Sequence, residues 1–307
     1  MRTIVIVGGG YCGTALATML LRRPPATPTR LVLIERGVHV GRGVAFAARD
    51  FPYLLNVPAG RMSANPADPL EFLRFMQRRE PGTDAESFLP RAWYGDYLEE
   101  SLQAASLAAP RHIRIDVIRA SVTSIHRNRR DLPLRVRLDD RTELYGDEVV
   151  LAVGNPPPRR LGVAEALAGH PGYVEDPWTL SAMTGHGERL FLIGTGLTMV
   201  DAVLAAAARG EGSHVEALSR HGLIASRQAA FRPKTFRSRA LSPARAALLG
   251  RSSASLARGG ARTADTSAAD GSAAGARRPD RLAAVRARRH PRPLASARRV
   301  GPPAHRR

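Results

Sequence analysis

A glycine-rich turn near the start of the chain constrains the fold more than any other feature. It reads Gly8-Gly9-Gly10-Tyr11-Cys12-Gly13 and follows an unbroken apolar run, Thr3-Ile4-Val5-Ile6-Val7. Such a run is typical of a strand buried on both faces, as in a parallel sheet. Apolar residues then recur at helical spacing from Thr14 to Leu21 (Ala15, Leu16, Met19, Leu20), and a second apolar run, Leu31 to Ile34, ends in Glu35. The pattern predicts a βαβ unit over residues 3–35.

The spacing of these glycines, between a strand and a helix, is the fingerprint of a dinucleotide site. Gly8 permits a tight turn, Gly10 lets a pyrophosphate approach the backbone, and Gly13 lets the helix pack closely on the strand. The helix N-terminus adds free N–H groups and the positive end of the helix dipole. Glu35, at the end of the second strand, can accept hydrogen bonds from both hydroxyls of an adenosine ribose. A glycine turn needed only for close packing would leave Glu35 unexplained.

Cys12 is the only cysteine of the chain, which excludes a disulfide framework, a thiolate metal cluster and a redox-active cysteine pair. It occupies the first helical turn, where a thiolate would be stabilised. A bound pyrophosphate would oppose a second negative charge at the same place. We therefore interpret Cys12 as a small residue that fits against the cofactor.

A second, shorter glycine turn, Gly194-Thr195-Gly196, repeats the opening theme. A strand, Leu190 to Ile193, precedes it; an alanine-rich helix, Leu197 to Ala208, and a strand, His214 to Leu218, follow. That strand leads into Ser219-Arg220, where the first unit has an acid. Arg220 can pair with a 2′-phosphate and Ser219 can donate a hydrogen bond to it, which favours NADPH over NADH. The alternative is that Arg220 is a solvated charge at the end of a strand.

Between the two turns the pattern is mixed. Helices are predicted over Leu70–Arg78 and Tyr94–Leu107, after a glycine- and proline-rich loop from Gly41 to Pro69. Short strands follow, with turns of Asn, Arg and Asp between them, and they suggest a β-meander with a return strand. The strands are predicted over His112–Ile118, Ser121–His126, Leu134–Leu138 and Glu148–Val153. Gly154 then permits a close approach of backbone to a cofactor.

The charge of the chain lies in its C-terminal part. Residues 227–307 hold 20 Lys and Arg against three acids, a net +17 of the total +19, so residues 1–226 carry only +2. No aromatic residue follows Phe236, and such a composition buries too little apolar surface to fold. Residues 231–307 are interpreted as a disordered solvated tail or as a segment translated out of frame. A nucleic-acid-binding arm is a third, less favoured interpretation, because no aromatic residues accompany the arginines.

No apolar run reaches the roughly 18 residues that a membrane span needs. The N-terminal apolar stretch is too short for the core of a signal peptide. We expect a cytoplasmic protein.

Taken together, several segments resemble the bacterial FAD/NAD(P)-binding family that includes FAD-dependent urate hydroxylase, in which two Rossmann units hold FAD and NAD(P)H. The resemblance covers roughly residues 3–230, in family order. The matching segments are Ile6–Gly10, Gly41–Phe46, Leu54–Pro58, Pro90-Arg91 with Tyr94–Tyr97, Leu151–Asn155, Asp176–Trp178, Gly194–Asp201 and Leu218–Leu223.

The resemblance implies an α/β fold with a Rossmann-like FAD-binding domain (1–155) that carries an inserted β-meander. It also implies a second Rossmann-like NAD(P)-binding unit (156–230), ahead of the tail (231–307). FAD would contact Gly8, Gly9, Gly10, Tyr11, Cys12, Gly13, Glu35 and Arg36, its ring would lie beside Leu55, Asn56 and Val57, and Val122, Gly154 and Asn155 would lie near it. NADPH would contact Gly194, Gly196, Thr198, Ser219 and Arg220.

The implied activity is that of an FAD-dependent NAD(P)H oxidoreductase, a monooxygenase that hydroxylates a small molecule with molecular oxygen, with urate as the leading substrate. Arg42, Arg61 and His126 are candidates for catalysis by residue type only, and we expect solvated surface positions for them. Family members continue considerably beyond the point at which the resemblance ends. The alternative expectation is therefore a truncated, non-catalytic FAD/NAD(P)-binding protein.

Overall fold

The βαβ unit predicted at the start of the chain is present in the computed structural model. Strand β1 is Arg2–Val7, helix α1 is Tyr11–Arg22 and strand β2 is Thr29–Glu35. The structure describes residues 1–48, 51–127, 129, 132–178, 189–208 and 214–226, and the backbone of a short strand at 283–286. Within these ranges, no helix is both long enough and apolar enough to cross a membrane.

Four parallel strands form the first sheet, in the order β3-β2-β1-β7. β3 is Ile113–Arg119 and β7 is Glu148–Leu151. β1 and β2 lie in the middle, where Val5 is fully buried between Val32 on one side and Val149 on the other. The unbroken apolar runs are explained by this position, because both faces of a central parallel strand are covered.

The prediction that residues 112–118 begin a β-meander was wrong. They form β3, which pairs with β2 along seven residues, from Thr29–Ile113 to Glu35–Arg119. The physical reason is the long helix that precedes it. Parallel strands require a crossover, and helix α4 (Arg91–Ala108) provides one and packs against α1.

The predicted meander consists instead of the next three strands, β4 (Val122–His126), β5 (Leu134–Leu138) and β6 (Glu143–Gly146). All its pairings are antiparallel. The sequence analysis missed β6, which follows a tight turn at Arg141 with φ 72°. Val136 and Leu138 of β5 pack with Val5 and Val32, so the meander covers one face of the parallel sheet. β7, predicted to reach Val153, ends at Leu151.

The other face of the sheet is covered by α1 and α4. Ala17 and Leu21 of α1 pack with Leu102 and Ala105 of α4. The apolar face that the sequence predicted for α1 (Ala15, Leu16, Met19 and Leu20) was only partly right. Met19 is 41% exposed, and the buried positions include Thr14 and Thr18, whose hydroxyls donate to the carbonyls of Gly9 and Thr14. Burial of these threonines is tolerated because each hydroxyl is paired.

A second core lies between the helices of the middle region. α3 (Glu71–Arg79) and α4 match the predicted helices within three residues at each end. The predicted loop from Gly41 to Pro69 also contains a short helix α2 (Gly43–Ala47) and a 3-10 turn (Ala59–Arg61). This core is rich in aromatic side chains, with Phe72, Phe75, Tyr94 and Tyr97 buried together.

The elements around the second glycine turn also match their predictions. β8 is Arg189–Ile193, α5 is Leu197–Ala208 and β9 is His214–Ser219. These strands belong to a sheet with the order β10-β9-β8, in which β10 is Ala283–Arg286. A 3-10 helix, Gly162–Leu167, precedes β8 in the chain. The α/β fold, with its parallel sheet and inserted meander, is confirmed.

By internal contacts the chain divides into two compact units. One comprises Met1–Phe191 with Leu197–Glu216, and the other Leu192–Gly196 with Ala217–Arg307. The domain boundaries predicted at residues 155 and 230 stay predictions. Apart from the strand at 283–286, the predicted tail lies outside the described residues.

Candidate dinucleotide site

Two glycines of the first turn are required by packing. Gly8 has φ +102°, and a Cβ atom there would lie 2.3 Å from the carbonyl oxygen of Ala152, just beyond β7. A Cβ on Gly13 would lie 1.9 Å from the carbonyl oxygen of Gly8. Any other residue at either position would push the helix or β7 away from the turn. The tight turn predicted at Gly8 and the close packing predicted at Gly13 are therefore confirmed.

The N-terminus of α1 opens above this turn. The first hydrogen bond of the helix runs from Thr14 N to Gly10 O (3.0 Å), so the N–H groups of Tyr11, Cys12 and Gly13 point beyond the helix end. Gly10 has no side chain to cap them. In the described part of the chain, the nearest atom to a Cβ on Gly10 would be the Cα of Gly43, at 3.7 Å. This end of the helix is suited to an anion.

The carboxylate of Glu35 is held beside the turn by two backbone groups. One oxygen accepts a hydrogen bond from Gly9 N (2.6 Å) and the other from Gly37 N (2.7 Å). Each carboxylate oxygen has a second lone pair, so both remain able to accept from a ligand hydroxyl. The backbone carbonyl of Glu35 accepts from Ala120 N (3.1 Å), which brings the chain leading into Val122 to the same edge. Arg36 is exposed.

The segment Gly41-Arg42-Gly43 lies against the glycine turn, although its residue types alone predicted no structural role for it. Gly41 N donates to Gly9 O (2.7 Å) and approaches the hydroxyl of Thr14 (3.0 Å). Arg42 next to it is not the solvated side chain that we expected. It is 12% exposed and pairs with Asp96 (3.1 Å) and Glu99 (2.9 Å) of α4. Arg42 therefore fastens this segment to α4.

The contacts of the other two candidates for catalysis, Arg61 and His126, do not indicate a catalytic role. Arg61 pairs with Glu86 at 3.4 Å. His126 is exposed at the end of β4, opposite Arg135.

Tyr11 and Cys12 are both exposed at the start of α1. The ring of Tyr11 stacks on that of Tyr94, with 6.2 Å between the centroids. Tyr94 is buried, and its burial raises the pKa of its phenol well above the ordinary value. The stacking of Tyr11 on Tyr94 thus packs the turn against the aromatic core.

The segment predicted to lie beside the flavin ring, Leu55 to Val57, follows an antiparallel β-bridge between Leu54 and Pro90, the residue before α4. Leu55 is buried and its N–H donates to Leu89 O (2.8 Å), while Asn56 and Val57 are exposed. Sequence reasoning missed the residue that holds this segment, Arg91. Its Nε donates to Leu54 O (2.8 Å) and its Nη2 to Asn56 Oδ1 (3.3 Å). The only signal was its place in the Pro90-Arg91 match.

The second glycine turn is more open. Gly194 has φ +112° and its N–H donates to Leu218 O (2.8 Å). In the described ranges, no atom lies within 4 Å of a Cβ built on Gly194, Gly196 or Gly154. Ser219 is half-buried, and the other predicted contacts with NADPH or near FAD in this region are exposed, namely Gly154, Asn155, Gly194, Gly196, Thr198 and Arg220.

The first turn therefore fits the diphosphate and ribose of a dinucleotide. The helix end presents the N–H groups of its first turn, Gly10 leaves their approach open among the described residues, and Glu35 presents two acceptors at the end of β2. Residues 5–156 match the profile of a protein family described as FAD-NAD(P)-binding. This segment is therefore similar to FAD/NAD(P)-binding domains. The cofactors that this family description names are FAD and a nicotinamide nucleotide.

Several solved structures resemble this chain at low identity. The closed form of cyclohexanone monooxygenase is 20% identical, with a TM-score of 0.46, over 70% of this chain and 38% of that one. A flavin-containing monooxygenase from Stenotrophomonas maltophilia is 19% identical, with a TM-score of 0.45, over 70% and 58%. S-allyl-L-cysteine S-oxygenase from Allium sativum is 17% identical, with a TM-score of 0.49, over 76% and 54%.

The chain thus spans less than two thirds of the length of each of these proteins. No curated protein matches it.

Proposed function

We propose that this chain binds FAD at the first glycine turn and NADPH at the second, and that it acts as an FAD-dependent oxidoreductase. The observation that carries the proposal is the carboxylate of Glu35, held by Gly9 N and Gly37 N next to the open end of α1. A carboxylate in this place favours ribose hydroxyls as ligands, and the helix end favours the diphosphate that follows them.

Each part of the site would have a separate task. The N–H groups of Tyr11, Cys12 and Gly13 would bind the diphosphate, and Glu35 would orient the adenosine ribose. The ring of the flavin would lie beside Leu55, Asn56 and Val57, with Gly154 and Asn155 nearby. Tyr11 and Val57 are exposed apolar side chains at these places and would exclude water from the bound cofactor.

At the second turn, the proposal favours NADPH over NADH. Gly194, Gly196 and Thr198 would contact the diphosphate at the start of α5. Ser219 ends β9 as Glu35 ends β2, and Arg220 follows Ser219 directly. A guanidinium there would attract a 2′-phosphate, and a carboxylate would repel it.

The reaction we propose is hydroxylation of a small molecule with molecular oxygen. When bound, the two cofactors supply the hydride and the oxygen chemistry, and the protein supplies binding, orientation and water exclusion. The sequence has a single cysteine, so a dithiol cannot serve as the electron acceptor next to the flavin. On the family resemblance, urate is the first substrate to test.

The test is titration of the purified full chain with FAD, followed by anaerobic addition of NADPH. We expect tight binding with the visible absorption of a flavoprotein, and bleaching of that absorption by NADPH. In Gly10→Ala the added Cβ meets only Gly43 Cα at 3.7 Å, an ordinary contact, so the fold should be kept. Because the methyl group would occupy the approach of the diphosphate, FAD affinity should fall by about tenfold or more.

Three results would decide against parts of the proposal. A colourless wild-type chain that gains no flavin would reject it. Equal FAD affinity of wild type and Gly10→Ala would reject the first turn as the site. Bound FAD that NADPH does not reduce would favour a non-catalytic FAD/NAD(P)-binding protein.

A further inference from the structure

Arg91 is a buried cation to which the flavin site as proposed assigns no role. It is the second residue of the Pro90-Arg91 pair at the start of α4, and it is only 9% exposed. Its backbone N–H donates to Tyr53 O (2.7 Å), so the residue is anchored to the segment before Asn56 by its main chain as well. A guanidinium buried to this extent needs a full set of partners, because an unpaired buried charge is very costly.

Each nitrogen of the guanidinium has its own acceptor. Nε donates to Leu54 O (2.8 Å), Nη2 to Asn56 Oδ1 (3.3 Å), and Nη1 pairs with Asp201 Oδ2 (2.8 Å). The ring of Trp178 lies 5.9 Å from Cζ and covers the group further. Asp201 is one turn into α5, and its side chain is 17% exposed. One cation therefore joins the segment 54–56 to the helix that follows the second glycine turn.

The chemistry of arginine determines how the Asn56 amide is oriented. Guanidinium has five N–H donors and no acceptor, so only the amide oxygen of Asn56 can face it. The NH2 group of the same amide is then directed away from Arg91, at a residue that is exposed to solvent. A free asparagine would present its oxygen and its nitrogen with similar ease. Next to Arg91 it presents a hydrogen-bond donor.

We propose that Arg91 is a positioning residue: held by Asp201, it fixes the Asn56 amide so that its NH2 group donates to an acceptor atom of the bound flavin. A carbonyl oxygen or an unprotonated ring nitrogen of the flavin is the acceptor of suitable chemistry. The inference rests on the proposed function, because it takes FAD as the ligand beside Asn56. A donor at this place would favour electron density on the flavin and so assist its reduction.

The test compares five variants of the full chain with FAD bound, one of them a control. Asn56→Asp keeps an oxygen for Arg91 but replaces the donor by a second acceptor. Arg91→Lys keeps the positive charge but lacks the planar guanidinium, whose three separate nitrogens each reach one acceptor. Asp201→Asn weakens the anchor of Arg91, and Asp201→Glu is its conservative counterpart. Arg22→Met is the matched control, since it removes a partly buried ion pair with Glu71 at the far end of α1.

The measurements are the positions of the visible flavin absorption bands, the rate of anaerobic flavin reduction by NADPH, and the Kd for FAD. We expect Asn56→Asp and Arg91→Lys to shift the bands and to slow reduction by about tenfold or more, since small displacements at a reacting group have effects of this size. Asp201→Asn should act in the same direction, and Asp201→Glu should recover most of the rate. Arg22→Met should keep the bands and stay within about twofold of the wild-type rate.

A purely structural role for Arg91 predicts a different outcome. The variants would then lower the melting temperature and the fraction of protein with FAD, but the flavin that stays bound would keep its spectrum and its reduction rate. That result would overturn the inference. If Arg91→Lys fails to fold, Asn56→Asp decides alone, because it leaves every acceptor of Arg91 in place. A wild-type chain that binds no FAD would overturn the proposed function and the inference together, whereas bound FAD with unchanged variants would overturn the inference only.

Discussion

The two glycine turns follow strands of similar sequence, yet their surroundings differ. At the first turn a Cβ on Gly8 or Gly13 would collide with a carbonyl oxygen, at 2.3 Å and 1.9 Å. At the second turn no atom of the described residues comes within 4 Å of the same position on Gly194 or Gly196. Only the backbone angle of Gly194, φ +112°, requires glycine there.

The difference shows that one spacing pattern can have two physical causes. At the first turn, two of the glycines are explained by close packing of strand and helix alone. The evidence for a ligand comes from the other members: Gly10, whose approach is open, and Glu35, whose carboxylate is held at the end of β2. At the second turn, packing against the described residues does not explain Gly196, so a close approach of a ligand to the backbone is the interpretation to test.

The largest expected effect separates the packing roles of the two turns. Gly13→Ala would force a methyl group to within 1.9 Å of Gly8 O, and we expect it to lower the free energy of unfolding by about 3 kcal/mol. Gly196→Ala meets no described atom and should change it by about 0.5 kcal/mol or less. Calorimetric melting of both variants beside wild type measures the difference. Equal destabilisation by the two alanines would contradict the contrast between the turns.

The next effect concerns the residues at the C-terminal ends of β2 and β9. If Arg220 recognises a 2′-phosphate, Arg220→Glu should lower the NADPH-to-NADH preference in kcat/KM by about tenfold or more, because a charged hydrogen bond is replaced by repulsion. The rate of flavin reduction with each coenzyme gives this ratio. The control is Arg111→Glu, an exposed arginine before β3, which makes the same change in net charge. An unchanged ratio in Arg220→Glu would mean that Arg220 is a solvated charge.

Local patterns predicted the elements of both turns well. β1, β2, β8 and α5 lie where the apolar runs and helical spacing place them, because central parallel strands and an alanine-rich helix have strong local signals. β3 was predicted as a strand but assigned to the wrong sheet. The sheet that a strand joins depends on the connection that precedes it and on the strand it pairs with. A seven-residue apolar run carries no information about either.

The contacts that build the site are harder to predict because they join distant parts of the chain. Arg91 meets Asn56 across 35 positions of sequence and Asp201 across 110. Nothing in the residues around Arg91 distinguishes it from the many exposed arginines of this chain. Arg42 illustrates the same limit: its residue type suggested a solvated surface, and the fold pairs it with two acids of α4.

The last prediction concerns the aromatic core, which contacts the first turn through the stacking of the Tyr11 ring on the Tyr94 ring. Tyr97 lies in this core beneath the loop that contains Ala64, and burial raises the pKa of its phenol from the ordinary 10.0 to about 12. The unfolded chain therefore releases this proton at lower pH than the folded chain does. Stability is full below about pH 9 and falls as the pH rises from about 10 to about 12.

We expect the free energy of unfolding to drop by about 1 kcal/mol per pH unit in that window from Tyr97 alone. Tyr97→Phe should reduce this slope, although it lowers stability at neutral pH by removing the hydrogen bonds with Ala64 N and Glu71. Urea unfolding followed by tryptophan fluorescence reports on this region, because Trp93 packs against the core and Trp178 lies over Arg91. Tyr145→Phe, at a position 58% exposed, is the matched control. If Tyr97→Phe and Tyr145→Phe show the same dependence on pH as wild type, the buried phenol does not govern alkaline unfolding.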